Sequence, residues 1–501
     1  MAEVLTTAGR VLGRAEDGLT VFRGIPYAEP PVGEARFRAP RPVRRWDGVR
    51  EALAFGPPAP QDPGMMDQGG DAILRRGDDW LTLNVWTPEP DPAARRPVVV
   101  WIHGGAYKMG FSGSPGYDAR HIARDGGVVF VSLNYRLGVE GFARIDGAPA
   151  NRGLLDQVAA LEWVRDNIAV FGGDPDQVTV MGDSAGAGSI AALMAMPAAR
   201  GLFRRAVGQS LPGTFLSDPL ARDVAAAIAA EAGVRPTAAD LGSVEPWRLP
   251  EAWQALETKM HGYADRWGAF APTLVPFSPV VDGEVLPQDP WRALAGGAAR
   301  DVQLVIGHTR DEFRLFLLFS GMFGRVTEEV AGEALRVFGP GGDGERAYRT
   351  AFPDASAEEL YEVVQSDWLF RMPTLRLAEA QVAGGGQAHL YELTWQSPGS
   401  GGMMRACHGL DGPLLFGTYD AHLGPAAIGP DGAEAARELT AQIRTAWISF
   451  TVSGDPGWPA YEPETRPTRV FDTTPSVTAY PEETSRRLWQ GVEFGALPLL
   501  A

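Results

Sequence analysis

The sequence predicts an α/β fold: a mostly parallel central sheet covered by helices on both faces. Three observations carry this expectation. Short runs rich in β-branched residues recur along the chain, at 98–102, 128–133, 178–181, 206–208, 302–306 and 389–394. Several of them are separated by helical patterns such as 154–171. The runs are continuously apolar rather than alternating, which marks strands buried on both faces, as crossover helices bury a parallel sheet.

Composition agrees with one large core. The chain has 501 residues, 45% hydrophobic and 21% charged, ordinary values for a globular protein. Length alone allows about three domains, but a large α/β enzyme absorbs it in one. The expected organisation is therefore a single catalytic domain over 1–501. Helical patterns at about 218–273 and 313–383 read as insertions capping the core, because core-type strands flank both. The Pro/Gly-rich stretch 55–70 reads as a long surface loop.

In such sheets ligand chemistry collects beyond the carboxyl ends of the strands. After 178–181 comes Gly182-Asp183-Ser184-Ala185-Gly186, a G-x-S-x-G element. Flanking glycines let a strand turn tightly into a helix and hold the serine hydroxyl exposed, with the helix N-terminus favouring developing negative charge. After 98–102 comes His103-Gly104-Gly105-Ala106. Glycines let backbone N–H groups approach a tetrahedral oxyanion, and the expected donors are Gly104, Gly105 and Ala185. After 302–306 come Asp311 and Glu312. The chain order of this arrangement is Ser, acid, His, and either acid qualifies by position. Of seven histidines, His389, His408 and His422 follow the acid. His389 lies inside an apparent strand. His408 follows a glycine-rich loop after the last strand candidate and is the expected base, and His422 has no such context.

The remaining numbers exclude partners. Formal net charge is −17, which repels nucleic acid and anionic membranes. No run of about 18 apolar residues is present, so no transmembrane helix is expected. The N-terminus lacks the basic and apolar regions of a signal peptide. The single cysteine, Cys407, forbids an intrachain disulfide and reads as a small buried residue packing the histidine loop rather than a redox sensor. No metal or phosphate motif occurs, so no cofactor or metal is expected. The chain is expected to be a cytoplasmic monomer acting on a small molecule. Lys108 and Lys259 are the only lysines.

Longer segments carry a family resemblance. They include Phe22-Arg23-Gly24-Ile25-Pro26-Tyr27-Ala28, Leu81-Thr82-Leu83-Asn84-Val85-Trp86, Asn134-Tyr135-Arg136-Leu137-Gly138 and Phe171-Gly172-Gly173-Asp174-Pro175 leading into the Ser184 element. With Pro279-Val280-Val281-Asp282-Gly283 and Gly454-Asp455-Pro456, they span nearly the whole chain. The sequence resembles type-B carboxylesterases of the α/β-hydrolase fold, a family that includes bacterial p-nitrobenzyl esterases and, more distantly, cholinesterases. The resemblance implies a serine carboxylesterase with Ser184, Glu312 and His408 as its triad. It selects Glu312 as the second residue of an Asp-Glu pair, and His408 from His408-Gly409-Leu410-Asp411. It also places Asp183, Ser210 and Asp411 around the triad, Ser210 as a partner of the glutamate.

Departures from the family pattern refine this. Asp183 and Asp411 stand where glutamates are usual, Phe313 replaces a glycine, and Trp80 replaces a cysteine that secreted members pair. The segment 62–78 lacks the tryptophan with which cholinesterases bind a cation. The expected substrates are therefore uncharged esters of short to medium acyl chain. The alternatives are an amidase or carbamate hydrolase with the same triad, and a non-catalytic interaction protein on the same fold. The apolar run 315–319 reads as an acyl-pocket wall or core, or as the lid of a lipase.

Overall fold

The computed structural model describes residues 1–62 and 76–501. Among them is a 13-stranded sheet. Its strands are β1 (Ala2–Leu5), β2 (Arg10–Glu16), β3 (Leu19–Pro26), β4 (Val49–Glu51), β5 (Thr82–Thr87), β6 (Arg96–Ile102), β7 (Val129–Leu133), β8 (Gly173–Asp183) and β9 (Arg205–Gln209). A separate short pair follows, β10 (Leu216–Ser217) with β11 (Val280–Val281), and then β12 (Gln303–Thr309), β13 (Gln387–Leu393), β14 (Pro467–Phe471) and β15 (Ser476–Ala479) of the main sheet. The order is β1-β2-β3-β5-β7-β6-β8-β9-β12-β13-β14-β15, with β4 paired to β2. From β7 to β14 every neighbouring pair is parallel, while the margins are antiparallel except for β4, which runs parallel to β2. The fold is thus the α/β-hydrolase arrangement expected.

β6 shows why the central strands read as continuous apolar runs. Val98, Val100 and Ile102 enter one core with the helices Arg152–Asn167, Ala185–Ala195 and Met372–Ala383. Val99 and Trp101 point the other way, into a second core with the helices Arg120–Gly126 and Ala433–Ser453. Side chains alternate across a strand, so a sheet with helices on both faces needs apolar residues at every position. The margins lack that signal. β2 alternates between buried and exposed residues, and β15 is exposed throughout. β13 is also not the last strand, since β14 pairs parallel to it after the histidine loop.

The two insertion candidates are largely helical, with Asp218–Glu231 and Leu249–Glu257 in the first and Arg314–Phe319, Glu328–Phe338, Gly344–Ala351 and Ala357–Ser366 in the second. The stretch 55–62 is irregular but not superficial: Pro58 to Gln61 are buried, and Gln61 exchanges two hydrogen bonds with the Gly110 backbone, each 2.9 Å. The rest of the expected surface loop, 63–70, lies outside the described residues. A buried ion pair fixes the end of the parallel core. Arg136 meets Asp156 at 2.7 Å with neither side chain exposed, and donates to the Arg38 carbonyl.

Four adjacent strands, β6, β8, β9 and β12, end on the same side of the sheet. They lead directly into His103–Ala106, Ser184, Ser210 and Glu312.

Candidate active site

Ser184 sits between the last residue of β8 and the first of the helix Ala185–Ala195, with φ 52° and ψ −120°. A non-glycine residue held there costs about 1–3 kcal/mol, so the surroundings must impose it. Ser184 N–H donates to the Gln209 carbonyl at 2.7 Å, and its own carbonyl accepts from Gly188 N–H at 2.9 Å. Gly186 is required by packing, since a Cβ there would collide with the Ile102 carbonyl of β6.

Glu312 is fully buried and uses both carboxylate oxygens. Oε1 accepts from Thr309 N–H at 2.8 Å and from the Ser210 hydroxyl at 2.6 Å. Oε2 lies 2.5 Å from His408 Nδ1. An ionised carboxylate only accepts, so the shared proton belongs on Nδ1 and leaves Nε2 as the basic nitrogen. Burial pushes the Glu312 carboxyl up, but the His408 charge and the three hydrogen bonds outweigh it and hold the group below its ordinary value. Burial likewise disfavours a charged His408, and Glu312, with smaller contributions from Asp183 and Asp411, more than offsets it and raises the imidazole.

The adjacent acid does different work. Asp311 Oδ2 accepts from Ala406 N–H and the Gln396 amide, and its backbone bridges to Cys407, so it pins the loop that presents His408. Cys407 is buried in that loop, and its thiol is pushed up by burial. The other two downstream histidines have other neighbours. His389 Nδ1 lies 3.0 Å from the Trp458 carbonyl, and His422 packs on Tyr117.

Asp183 Oδ1 accepts from Gly104 N–H at 2.9 Å. Desolvation, then the charge of Asp411, pushes its carboxyl up to about 6. Asp411 accepts from the Tyr391 hydroxyl at 3.0 Å and is also raised by burial. The bond to Asp183 occupies the Gly104 amide, one of the three donors expected from the sequence. Gly105 and Ala106 follow at φ 108° and 53°, and among the described residues their N–H groups have no acceptor. Ala185 N–H, in the first turn of its helix, has none either. Successive amides in left-handed backbone form a concave anion site. Ala106 was absent from the expected donors; its small side chain directly after two glycines was the available signal.

Two aromatic rings cover His408, Phe370 at 4.3 Å and Phe316 at 5.2 Å between centroids. Phe370 comes from a π-helical turn, Asp367–Arg371, and no local pattern announced it. Phe316 belongs to the apolar run 315–319. Within the helix Arg314–Phe319, Leu317 is buried, Phe316 faces the histidine and Phe319 is 72% exposed. Phe313, the departure from the family glycine, packs on Phe316 and Tyr361.

Comparison with known proteins adds to this geometry. The model of the carboxylesterase family matches residues 1–334. The para-nitrobenzyl esterase of Bacillus subtilis is 36% identical over 97% of both chains. The phenmedipham hydrolase of Pseudarthrobacter oxydans is 37% identical over 91% of this chain and 92% of its own. Among solved structures, a carboxylesterase of Geobacillus stearothermophilus superposes with a TM-score of 0.84 at 36% identity, covering 97% of this chain and all of that one.

Proposed function

Because the chain belongs to the carboxylesterase family and is a carboxylic ester hydrolase, we propose that Ser184, His408 and Glu312 carry out the hydrolysis through an acyl-enzyme. The observation that carries this reading is the buried 2.5 Å contact between His408 and Glu312, together with a serine held at positive φ at the strand-to-helix turn that ends β8. His408 Nε2 takes the Ser184 proton as Oγ attacks the ester carbonyl. The carbonyl oxygen becomes an oxyanion, received by the amides of Gly105, Ala106 and Ala185. Gly104 supports that loop through Asp183 instead of donating. The imidazolium then gives its proton to the leaving alcohol as the C–O bond breaks. A water molecule, deprotonated by His408, attacks the acyl-enzyme, and the carboxylic acid leaves as Ser184 recovers its proton. Glu312 keeps the proton on Nδ1 throughout, and Ser210 keeps Glu312 in place. Asp183 and Asp411 add negative charge that favours the imidazolium.

The rings of Phe316 and Phe370 beside His408 support uncharged acyl or alcohol groups of modest size. The helical regions 218–273 and 313–383 are proposed to cap a single catalytic domain. A single cysteine suits a reducing cytoplasm, and a monomer is proposed, to be checked by size exclusion. The similarity to a phenmedipham hydrolase supports a second reading, in which the same residues also cleave amides or carbamates; phenmedipham therefore belongs among the test substrates.

The test is hydrolysis of p-nitrophenyl esters from acetate to palmitate. Ser184→Ala is expected to lose on the order of 10⁶ in turnover and Glu312→Gln roughly 10⁴, while Asp311→Asn stays near wild type in turnover. Residual activity of Ser184→Ala near wild type would remove the nucleophile assignment. A crippled Asp311→Asn beside an active Glu312→Gln would move the acid by one residue.

A further inference from the structure

Lys108 and Lys259 are the only lysines in a chain that otherwise uses arginine for its strong bases. Lys259 is exposed and paired with Glu231. Lys108 is the buried one, 7% exposed, and it lies two residues beyond Ala106. Its own N–H closes a turn on the Gly105 carbonyl at 3.0 Å. Its ammonium crosses to the helix Leu249–Glu257, where it meets Glu257 Oε1 at 2.5 Å and sits 5.1 Å from the ring centre of Trp253. The same helix holds Asp62 through the Gln254 amide, and Gln61 in turn brackets Gly110, the residue that ends this loop. The second half of the loop 104–110 is thus gripped from outside the sheet, at Lys108 and at Gly110, while its start is bonded to Asp183 of β8.

A loop of this kind needs such a grip. Gly105, Ala106 and Tyr107 all have positive φ, and two of the three carry a Cβ, so the conformation is strained without outside contacts. A compact ammonium fits between a carboxylate and an aromatic face, and the planar fork of an arginine is a poor replacement there. We propose that Lys108 is a positioning residue for ester hydrolysis: held by Glu257 and Trp253, it fixes the Gly105 and Ala106 amides where the oxyanion forms. The proposal rests on the assignment of those amides as oxyanion donors. It gives the region 218–273 a part in the reaction itself, because one of its helices sets the geometry of groups that stabilise the transition state. Lys108 touches neither the serine nor the histidine.

The experiment compares Lys108→Met, Glu257→Gln and the double variant with wild type. It reads kcat and KM on p-nitrophenyl butyrate, and inhibition by an alkyl trifluoromethyl ketone and by the parent methyl ketone. The fluorinated ketone forms a tetrahedral adduct with the serine and needs the oxyanion donors; its parent needs only the pocket. Each single variant is expected to lose roughly 10- to 100-fold in kcat, as small displacements of catalytic groups do, with KM within about threefold. The trifluoromethyl ketone should weaken in step with kcat/KM, and the parent ketone should not. The double variant should be no worse than the poorer single one, because both act through one contact. Loss of unfolding stability with unchanged kcat and unchanged inhibition would overturn the proposal, leaving the pair as a strut. A rise in KM alone, shared by both ketones, would also overturn it. Full activity of Ser184→Ala, or no inhibition of wild type by the trifluoromethyl ketone, would instead bring down the underlying assignment of the site.

Discussion

Asp183 shows how closely charge is set around the proposed base. Its carboxylate faces the site between Gly104 and His408, close enough to raise the imidazole, and together with Asp411 and Glu312 it makes up the negative charge that His408 experiences. The sign of its effect follows. A base must be neutral to accept a proton, so activity falls as pH drops through the His408 value, which lies above the ordinary 6.5. Desolvation and the charge of Asp411 push Asp183 up to about 6, still below the raised His408, so Asp183 is charged where that limb begins. Asp183→Asn keeps an oxygen for Gly104 N–H but removes the charge. The acid limb of kcat/KM is expected to move to lower pH, with turnover at neutral pH falling by roughly tenfold because the imidazolium of the transition state loses support. A limb that stays in place would mean Asp183 acts only through Gly104. At this scale much was legible before the fold was known. Ser184, His408 and the acidic pair stood out because each follows a strand candidate. Position alone left the acid open, because two adjacent residues at a strand end point to opposite sides and only the backbone decides which; the family resemblance selected Glu312, the one that bonds His408. Gly104 was expected as a free donor, and its amide is instead bonded to Asp183: a free amide and one bonded to a side chain 79 residues away read alike in sequence.

The elements that carry the site are held from beneath by polar groups as well as by apolar packing. Arg136 follows β7, and its guanidinium and backbone N–H both bind Asp156 in the helix Arg152–Asn167. That helix packs beside Ala185–Ala195, whose first residue supplies one of the proposed oxyanion donors. Removing one partner of a buried pair leaves an uncompensated charge in a dry site, so Asp156→Ala is expected to cost about 3–5 kcal/mol, read as a lower midpoint of urea unfolding. A cost below about 1 kcal/mol would mean that water reaches Arg136 after the change. Legibility of the elements follows continuous runs of buried apolar residues. Strands with both faces covered, such as β6 and β12, were found within a few residues of their limits. β2 and β15 have exposed positions and β14 is only partly buried, so none shows a continuous apolar run, and they were missed; so was β5, buried throughout but interrupted by Thr82, Asn84 and Thr87. The π-helical turn Asp367–Arg371 was equally silent, because its five residues resemble any helical stretch, although it delivers Phe370 to the histidine.

The residues after β15 tie the two helical regions to each other and to the sheet. Glu482 and Ser485 bind Arg371 at the π-helical turn, at 2.5 and 3.3 Å. Trp489 is buried, donates to the Tyr348 hydroxyl at 2.7 Å, and accepts at its carbonyl from Arg376. Farther on, Leu497 N–H donates to Phe215 and its carbonyl accepts from Ser217, while Leu500 N–H donates to Arg266. One strap, opening with the short helix Glu483–Leu488, therefore touches 313–383 first and both ends of 218–273 next. Deleting 482–501 would leave Arg371 without Glu482 and would open the surfaces under Trp489. Both losses fall on the region that delivers Phe370, and losing Leu497 and Leu500 frees the two ends of the region that contains the helix gripping Lys108. The expected result is a drop of roughly 5 °C in the midpoint of thermal unfolding, since several kcal/mol are removed from a chain so large that each is worth only about 1 °C. Activity at a temperature below that new midpoint should fall as well, with the trifluoromethyl ketone weakened, because the strap acts on the site through both regions. A truncated chain that unfolds early but retains full turnover when cold would confine the strap to stability and leave the two helical regions to position the site by themselves.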